Sequence, residues 1–345
     1  MNRVHTVLAM SVVVVGLFSN LGARAGFQSG ETGYWPWHNL APTGTLSAPN
    51  GGSTTGLTNG NVGSDATGTG NSLPYVWYDR FAAPAELSLI RLSHAWGVGF
   101  DSWELAYDTD PTSGESFSVL ASGTGSDLGR MTSVDADITT DGLRYTVTSA
   151  TQSNLCGREV EAYGPASLAA ATITGDVVTS VASSVAKGNA ANLVNGQLSP
   201  DWGAWQPASL GSTTPEYVYY LFPEERPIHS VRVIGEQGNM PSVLYLQYLM
   251  AGGNPANNND WITWDSKTGL PNDWRTVWLH HGATGFFEST GVRILIEGNQ
   301  NTSGYNWFRL FEIEIYDGSL AIPEPASVIM LGAAGLLMLR RRVRS

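Results

Sequence analysis

Apolar and polar residues alternate with a period of two along much of this chain. In "FRLFEIEIY" (308–316), Phe311, Ile313 and Ile315 alternate with Glu312, Glu314 and Tyr316, which puts the apolar groups on one face of a half-buried strand and the polar groups on the other. "SVRVI" (230–234), "VLYLQYL" (243–249), "GVRILI" (291–296) and "SWELAY" (102–107) repeat the alternation, and clusters such as "AGGNPANNND" (251–260) interrupt it. No long amphipathic helix is visible. The stretch 167–188 is ambiguous; its first part reads as a join between domains and its second as an opening strand and loop. The pattern predicts short antiparallel strands packed as β-sandwiches.

The strands come in two sets. "SAPNGGSTTGLTNG" (47–60) matches "SSVAKGNAANLVNG" (183–196), placing Leu57, Asn59 and Gly60 over Leu193, Asn195 and Gly196. In the same order "YVWYDRF" (75–81) matches "YVYYLF" (217–222), and "LSLIRLS" (87–93) matches "IHSVRVI" (228–234). "GLRYTV" (142–147) then matches "GVRILI" (291–296), and "EVEAYG" (159–164) matches "EIEIYDG" (312–318). Ordered matches whose offset grows along the chain point to a duplicated domain with longer loops in the second copy.

Composition agrees with this. The 345 residues are 42% hydrophobic and 10% aromatic, with 40 Gly, 12 Trp and 13 Tyr but only Lys187 and Lys267 as lysines, which favours Gly-turned β-structure over helical bundles. Both ends stand apart. Arg3, the apolar run 7–18 and Ala23-Arg24-Ala25 make residues 1–25 a predicted export signal cut before Gly26. At the other end the uncharged segment 326–339 meets Arg340, Arg341, Arg342 and Arg344. Between the ends, 12 Lys and Arg face 29 Asp and Glu, a net charge of −17 that repels nucleic acid and anionic headgroups. Cys156 is the only cysteine, so no intramolecular disulfide forms and apolar burial is its expected role.

Each copy resembles a discoidin domain, the coagulation factor V/VIII type C family of the galactose-binding-like superfamily. The resemblance rests on "NLAPTGTLSA" (39–48), the "LTNG" and "LVNG" turns, and "DWGAW" (201–205). It rests also on Arg91 and Arg232 ten residues after a Phe, the Gly-Leu/Val-Arg strand and the closing E-x-E-x-Y strand. In copy one "VGSDATGTG" (62–70) stands where "DWGAW" would be. The resemblance implies two tandem antiparallel jelly-roll sandwiches, at 26–165 and 166–320, whose loops at one end bind sugars, lipid headgroups or proteins. It also implies a structural Ca²⁺ held near Asn59, Asp65, Asn195, Glu159 and Glu312 by hard oxygen donors; no other cofactor is expected. An aromatic face and planar polar groups suit a pyranose, which makes His94 and Trp96 candidates in copy one and Asn258, Asn259, Asp260, Trp261, Asn301, Tyr305 and Trp307 in copy two. Trp77, Trp103, Trp202, Trp205 and Trp264 are expected in cores or rims.

Fourteen residues at 326–339 span roughly 21 Å as a helix, short of the roughly 30 Å of a bilayer core, so this short transmembrane helix needs its arginines to snorkel on the cytoplasmic side. Pro323-Glu324-Pro325 followed by an apolar helix and Arg340, Arg341 and Arg342 is similar to the PEP-CTERM sorting signal of exopolysaccharide-producing Gram-negative bacteria. That resemblance assigns 321–345 to sorting and implies transient inner-membrane insertion, cleavage near the tripeptide by an exosortase-type partner, and release to the cell surface or matrix. Phosphate loops, HExxH, CxxC and G-x-S-x-G are absent from the sequence. His280-His281 would point to opposite faces of a strand. Carboxylate pairs such as Asp108 and Asp110, Asp135 and Asp137, or Glu312 and Glu314 read as solvated loop or strand faces. The expectation is an exported, non-catalytic module binding carbohydrate or exopolysaccharide, with repetition lending avidity. The alternatives are a purely structural matrix protein and a polysaccharide hydrolase using an unrecognised carboxylate pair.

Overall fold

The computed structural model describes residues 40–317 apart from 42–43, 50–53, 55–56, 59–65, 70–73, 95–99, 111–115, 125–130, 151–153, 165–172, 197–204, 208–214, 236–239, 271–275, 281–285 and 300–307. The export signal and the sorting tail lie outside these residues. Among the described residues no helix is long and apolar enough to cross a membrane.

The fold is all-β. The first half holds β1 (Thr45–Ser47), β2 (Ala66–Thr69), β3 (Tyr75–His94), β4 (Phe100–Asp108), β5 (Phe117–Thr124), β6 (Met131–Ala150) and β7 (Asn154–Tyr163). The second holds β8 (Thr179–Ala182), β9 (Glu216–Gly235), β10 (Pro241–Leu249), β11 (Trp261–Thr268), β12 (Thr276–His280), β13 (Phe287–Asn299) and β14 (Leu310–Asp317). The ambiguous 167–188 stretch forms a 3₁₀ turn at Thr174–Asp176 and then β8.

In each half one long strand bends and serves two layers. The start of β9 pairs with β8 and β13, and β13 continues to β10 and β11; the end of β9 pairs with β12 and β14. Among the described residues five strands therefore make a front layer and three a back layer, with the core between. Val218, Tyr220 and Phe222 face that core from the front part of β9, and Val231 and Val233 from the back part, so the inward parity switches at the bend. Copy one repeats the plan: β3 pairs with β1 and β6 at the front, β6 continues to β4 and β5, and the far part of β3 pairs with β7 and the start of β6 at the back. Trp77, Trp103 and Trp205 are core residues, as expected, and Trp264 packs against the second core.

The ladders correct one detail of the repeat. Tyr75 lies opposite Val147 and Glu216 lies opposite Ile296, and Val147 and Ile296 are equivalent in the Gly-x-Arg strands. Tyr75 thus corresponds to Glu216 and Tyr78 to Tyr219, one residue out of step with the alignment of "YVWYDRF" on "YVYYLF". The shared "YV" pair misled it, because it sits at different parities in the two copies.

The back layers press against each other. Arg91 and Arg232 are cross-strand neighbours of Glu161 and Glu314 in their own sandwiches, yet their strongest pairs cross between sandwiches. Arg91 binds both oxygens of Glu314, one at 3.1 Å. Arg232 binds those of Glu161 at 3.1 and 2.5 Å. Contacts of 3.9 Å (Arg91 to Glu161) and 3.3 Å (Arg232 to Glu314) close the ring. The Tyr316 hydroxyl accepts from Arg91 and donates to Glu314, and that of Tyr163 donates to Glu161. Equivalent residues do equivalent jobs, so the interface has an approximate two-fold. All four charged groups are buried, and such a ring holds only if its geometry and extra hydrogen bonds offset desolvation. Burial alone would raise the Glu314 carboxyl; Arg91 and Arg232 overcome that and hold it at about 2. Leu89, Ile234 and Trp278 are buried in the same layers outside both cores, with Arg232 lying over the Trp278 ring.

Candidate functional site

With the back layers engaged, the front layers' outer faces remain. Their side chains come from strand positions between the core-facing ones, so the period of two alone decides which residues appear there. In the second sandwich one rung crosses the whole front layer: Val181, Tyr219, Arg293, Gln247 and Thr263 are in register. The next carries Tyr217, Leu295, Tyr245 and Ser266.

Arg293 organises this face. Its Nε donates to Gln247 at 2.6 Å and one Nη to the Asn258 side chain at 2.7 Å. Gln247 passes the chain on to the Thr263 hydroxyl at 3.0 Å. The guanidinium lies over the Trp261 ring at 4.8 Å and the Tyr217 ring at 5.3 Å, and burial lowers its pKa to about 10. Tyr219 meets Trp261 at 5.5 Å and stacks beside Tyr217 at 6.2 Å. Arg293 and Gln247 are themselves buried, whereas Tyr217, Tyr219 and Tyr245 are half-buried and Asn258 is exposed, so what stays open to a ligand is tyrosine surface with the Asn258 amide beside it, held in place by the buried arginine.

The first sandwich has the same device in other residues. Tyr78, Arg144, Ala106 and Val119 form the equivalent rung. Arg144 and Arg80 each lie 5.0 Å from the Phe117 ring, which meets Tyr78 at 5.4 Å. Arg144 is paired with Glu104 at 2.9 Å, and Arg80 with Asp108 at 2.6 Å and Asp141 at 3.2 Å. The Asp108 carboxylate is thus engaged structurally: burial would raise it, but Arg80 and the backbone N–H groups of Asp110 and Ser116 lower it. Among the described residues no group of three or more His, Cys, Asp or Glu is placed to hold a metal ion.

The residues singled out in the sequence fall as follows. Asp260 closes the 250–260 turn, accepting from the Asn254 N–H at 2.7 Å and the Asn257 amide at 2.8 Å. Asn259 is exposed on the same turn. Trp261 follows it, buried and packed against Arg293 and Tyr219, with its indole N–H donating to the Pro255 carbonyl at 3.1 Å. It braces the face rather than offering an open ring to stack on. His94 ends β3; its side chain, and Trp96, Asn301, Tyr305 and Trp307, lie outside the described residues. Glu312 and Asn195 come together at the "LVNG" turn, where Glu312 accepts from the Gly196 N–H at 3.0 Å. Burial, then Glu314, pushes that carboxyl well above its ordinary value. Glu159 is buried beside the "LTNG" turn, where the Val160 N–H donates to the Leu57 carbonyl. Asn59 and Asp65 lie outside the described residues. His280 ends β12, and His281 is not described.

Tyr78, Arg144, Phe117, Tyr217, Tyr219 and Arg293 escaped the sequence reading because it sought ligands in loops. The available signal was parity: in both Gly-x-Arg strands the arginine takes the outward position between core residues.

No protein-family model matches the chain, and no curated protein matches it. Solved structures do. A fucolectin from striped bass serum is 13% identical, with 82% of this chain and 99% of that chain covered and a TM-score of 0.33. The CBM32-1 and CBM32-2 domains of Clostridium perfringens ZmpB, in complex with GalNAc, are 10% identical over 79% and 89%, with a TM-score of 0.34. The family 32 CBM of C. perfringens NanJ, in complex with galactose, is 12% identical over 43% and 98%, with a TM-score of 0.33.

Proposed function

We propose that this chain is an exported, non-catalytic carbohydrate-binding protein of the cell surface or extracellular matrix, acting through the outer faces of its front layers. The carrying observation is the half-exposed pair Tyr217 and Tyr219, set against an arginine fixed by Gln247, Asn258 and the Trp261 ring. Ring faces suit the C–H face of a pyranose, and the exposed Asn258 and Asn259 amides of the adjoining turn suit its hydroxyls. Export and sorting follow from the sequence of both ends, with an exosortase-type enzyme acting at Pro323-Glu324-Pro325.

Affinity electrophoresis of the intact chain against a panel of soluble neutral polysaccharides, with and without Ca²⁺, tests the reading. Retardation by at least one of them, weakened about tenfold by Tyr219→Ala, is expected; a stacking loss of about 1.4 kcal/mol gives that factor. Absence of retardation by every polysaccharide would leave the structural reading, a matrix protein whose sandwiches only pack.

A further inference from the structure

The two candidate faces point away from each other. Each core lies between a front and a back layer, and the two back layers meet through Arg91, Glu161, Arg232 and Glu314. The layer order is therefore front, back, back, front. Tyr78 and Tyr219 sit on the two outermost surfaces, separated by the whole stack, roughly 30 Å at about 10 Å per layer spacing.

This geometry changes what duplication can do. Avidity on a single strand requires two sites that one strand can reach together. Opposed faces deny that to a stiff polysaccharide, and the buried ion-pair ring keeps the sandwiches from swinging to a common side. We propose that the protein is a cross-linker, each face holding a different polysaccharide chain. The proposal rests on the glycan-binding reading and adds the arrangement of the sites to it.

The test mixes the intact chain with whichever polysaccharide of the panel retards it, and follows turbidity and low-shear viscosity against the protein-to-polysaccharide ratio. Cross-linking predicts a maximum at an intermediate ratio, decline in excess protein, and dissolution by a short oligosaccharide of the same linkage. Tyr78→Ala and Tyr219→Ala should each keep one face's binding and abolish the maximum. Sedimentation of the unaltered chain with the short oligosaccharide gives a check that needs no variant: two sites on a protein that stays monomeric. Retardation without a viscosity maximum, or a single oligosaccharide site, overturns the cross-linker while leaving glycan binding in place. No retardation by any polysaccharide overturns both.

Discussion

Asp79 sets the first sandwich against itself as pH rises. It occupies a core-facing position of β3, where its counterpart in β9 is Tyr220, whose hydroxyl donates to the Ala190 carbonyl at 3.2 Å. Asp79 is 4% exposed, and neither carboxyl oxygen has a hydrogen-bond partner among the described residues. It borders a cavity of about 10 Å³ walled by Leu57, Trp77, Leu105, Leu143 and Val160, room for one water at most. Burial alone raises its pKa from 3.8 to about 7. The folded protein thus holds this proton more tightly than the unfolded chain. Between pH about 4 and about 7 the unfolded state is ionised while the folded state must stay neutral, so stability falls as pH rises. A shift of about three pH units corresponds to about 4 kcal/mol, fully lost above pH 7. Asp79→Asn removes the titration. Urea unfolding of both proteins at pH 4, 6 and 8 should show the variant gaining about 4 kcal/mol on the parent between the first and last values. The amide's own burial cost is constant with pH and cancels in that difference. A gap between the two proteins that stays constant within about 1 kcal/mol would refute the reasoning, since it would mean the native carboxyl is solvated or paired.

Other perturbations follow from the same geometry. Arg232→Met leaves Glu161 and Glu314 buried beside one arginine instead of two and should cost about 3–5 kcal/mol in urea unfolding. Glu314, held at about 2 against an ordinary 4.5, contributes stability that is present above about pH 4.5 and lost as pH falls toward 2; acid unfolding followed by tryptophan fluorescence should shift in Glu314→Gln by loss of that pH-dependent part. Gly291→Ala sets a methyl 2.8 Å from Leu221 and 3.3 Å from the Trp261 ring. Overpacking of about 1–3 kcal/mol is expected, with a red-shifted tryptophan emission as the face loosens.

The all-β architecture, the duplication and the inward residues were legible because period-two alternation and turn clusters are local signals. Phe311, Ile313 and Ile315 were assigned to one face, and Ile313 and Ile315 lie in the core. What alternation could not say is which polar faces meet water. Glu312, Glu314 and Tyr316 read as a solvated side, and all three are buried: Glu314 and Tyr316 meet Arg91 of the other sandwich, 223 and 225 residues away in sequence, and Glu312 meets the turn at Gly196, 116 residues away. Trp261 shows the same limit from the other side: an aromatic after a polar turn looks available, yet it is buried against Arg293 and Tyr219, which other strands position.

The interface and the outer faces answer to different constraints, and this decides where the two copies remain alike. About an approximate two-fold, each back layer must complement the other: Arg91 needs Glu314 as Arg232 needs Glu161, and a change on one side strands a buried charge on the other. The outer faces touch nothing in common, so they are free to differ while keeping the arginine-on-aromatic support. They do differ. Phe117 stands under two arginines whose partners are Glu104, Asp108 and Asp141, whereas Trp261 stands under one arginine bonded to the neutral amides of Gln247 and Asn258. A charged face and an amide-lined one select different hydroxyl patterns, so the two sites should differ in sugar preference. Titrating Tyr78→Ala and Tyr219→Ala separately across the same oligosaccharides should give two distinct orders of affinity; identical orders would show that the support beneath the tyrosines has no part in recognition.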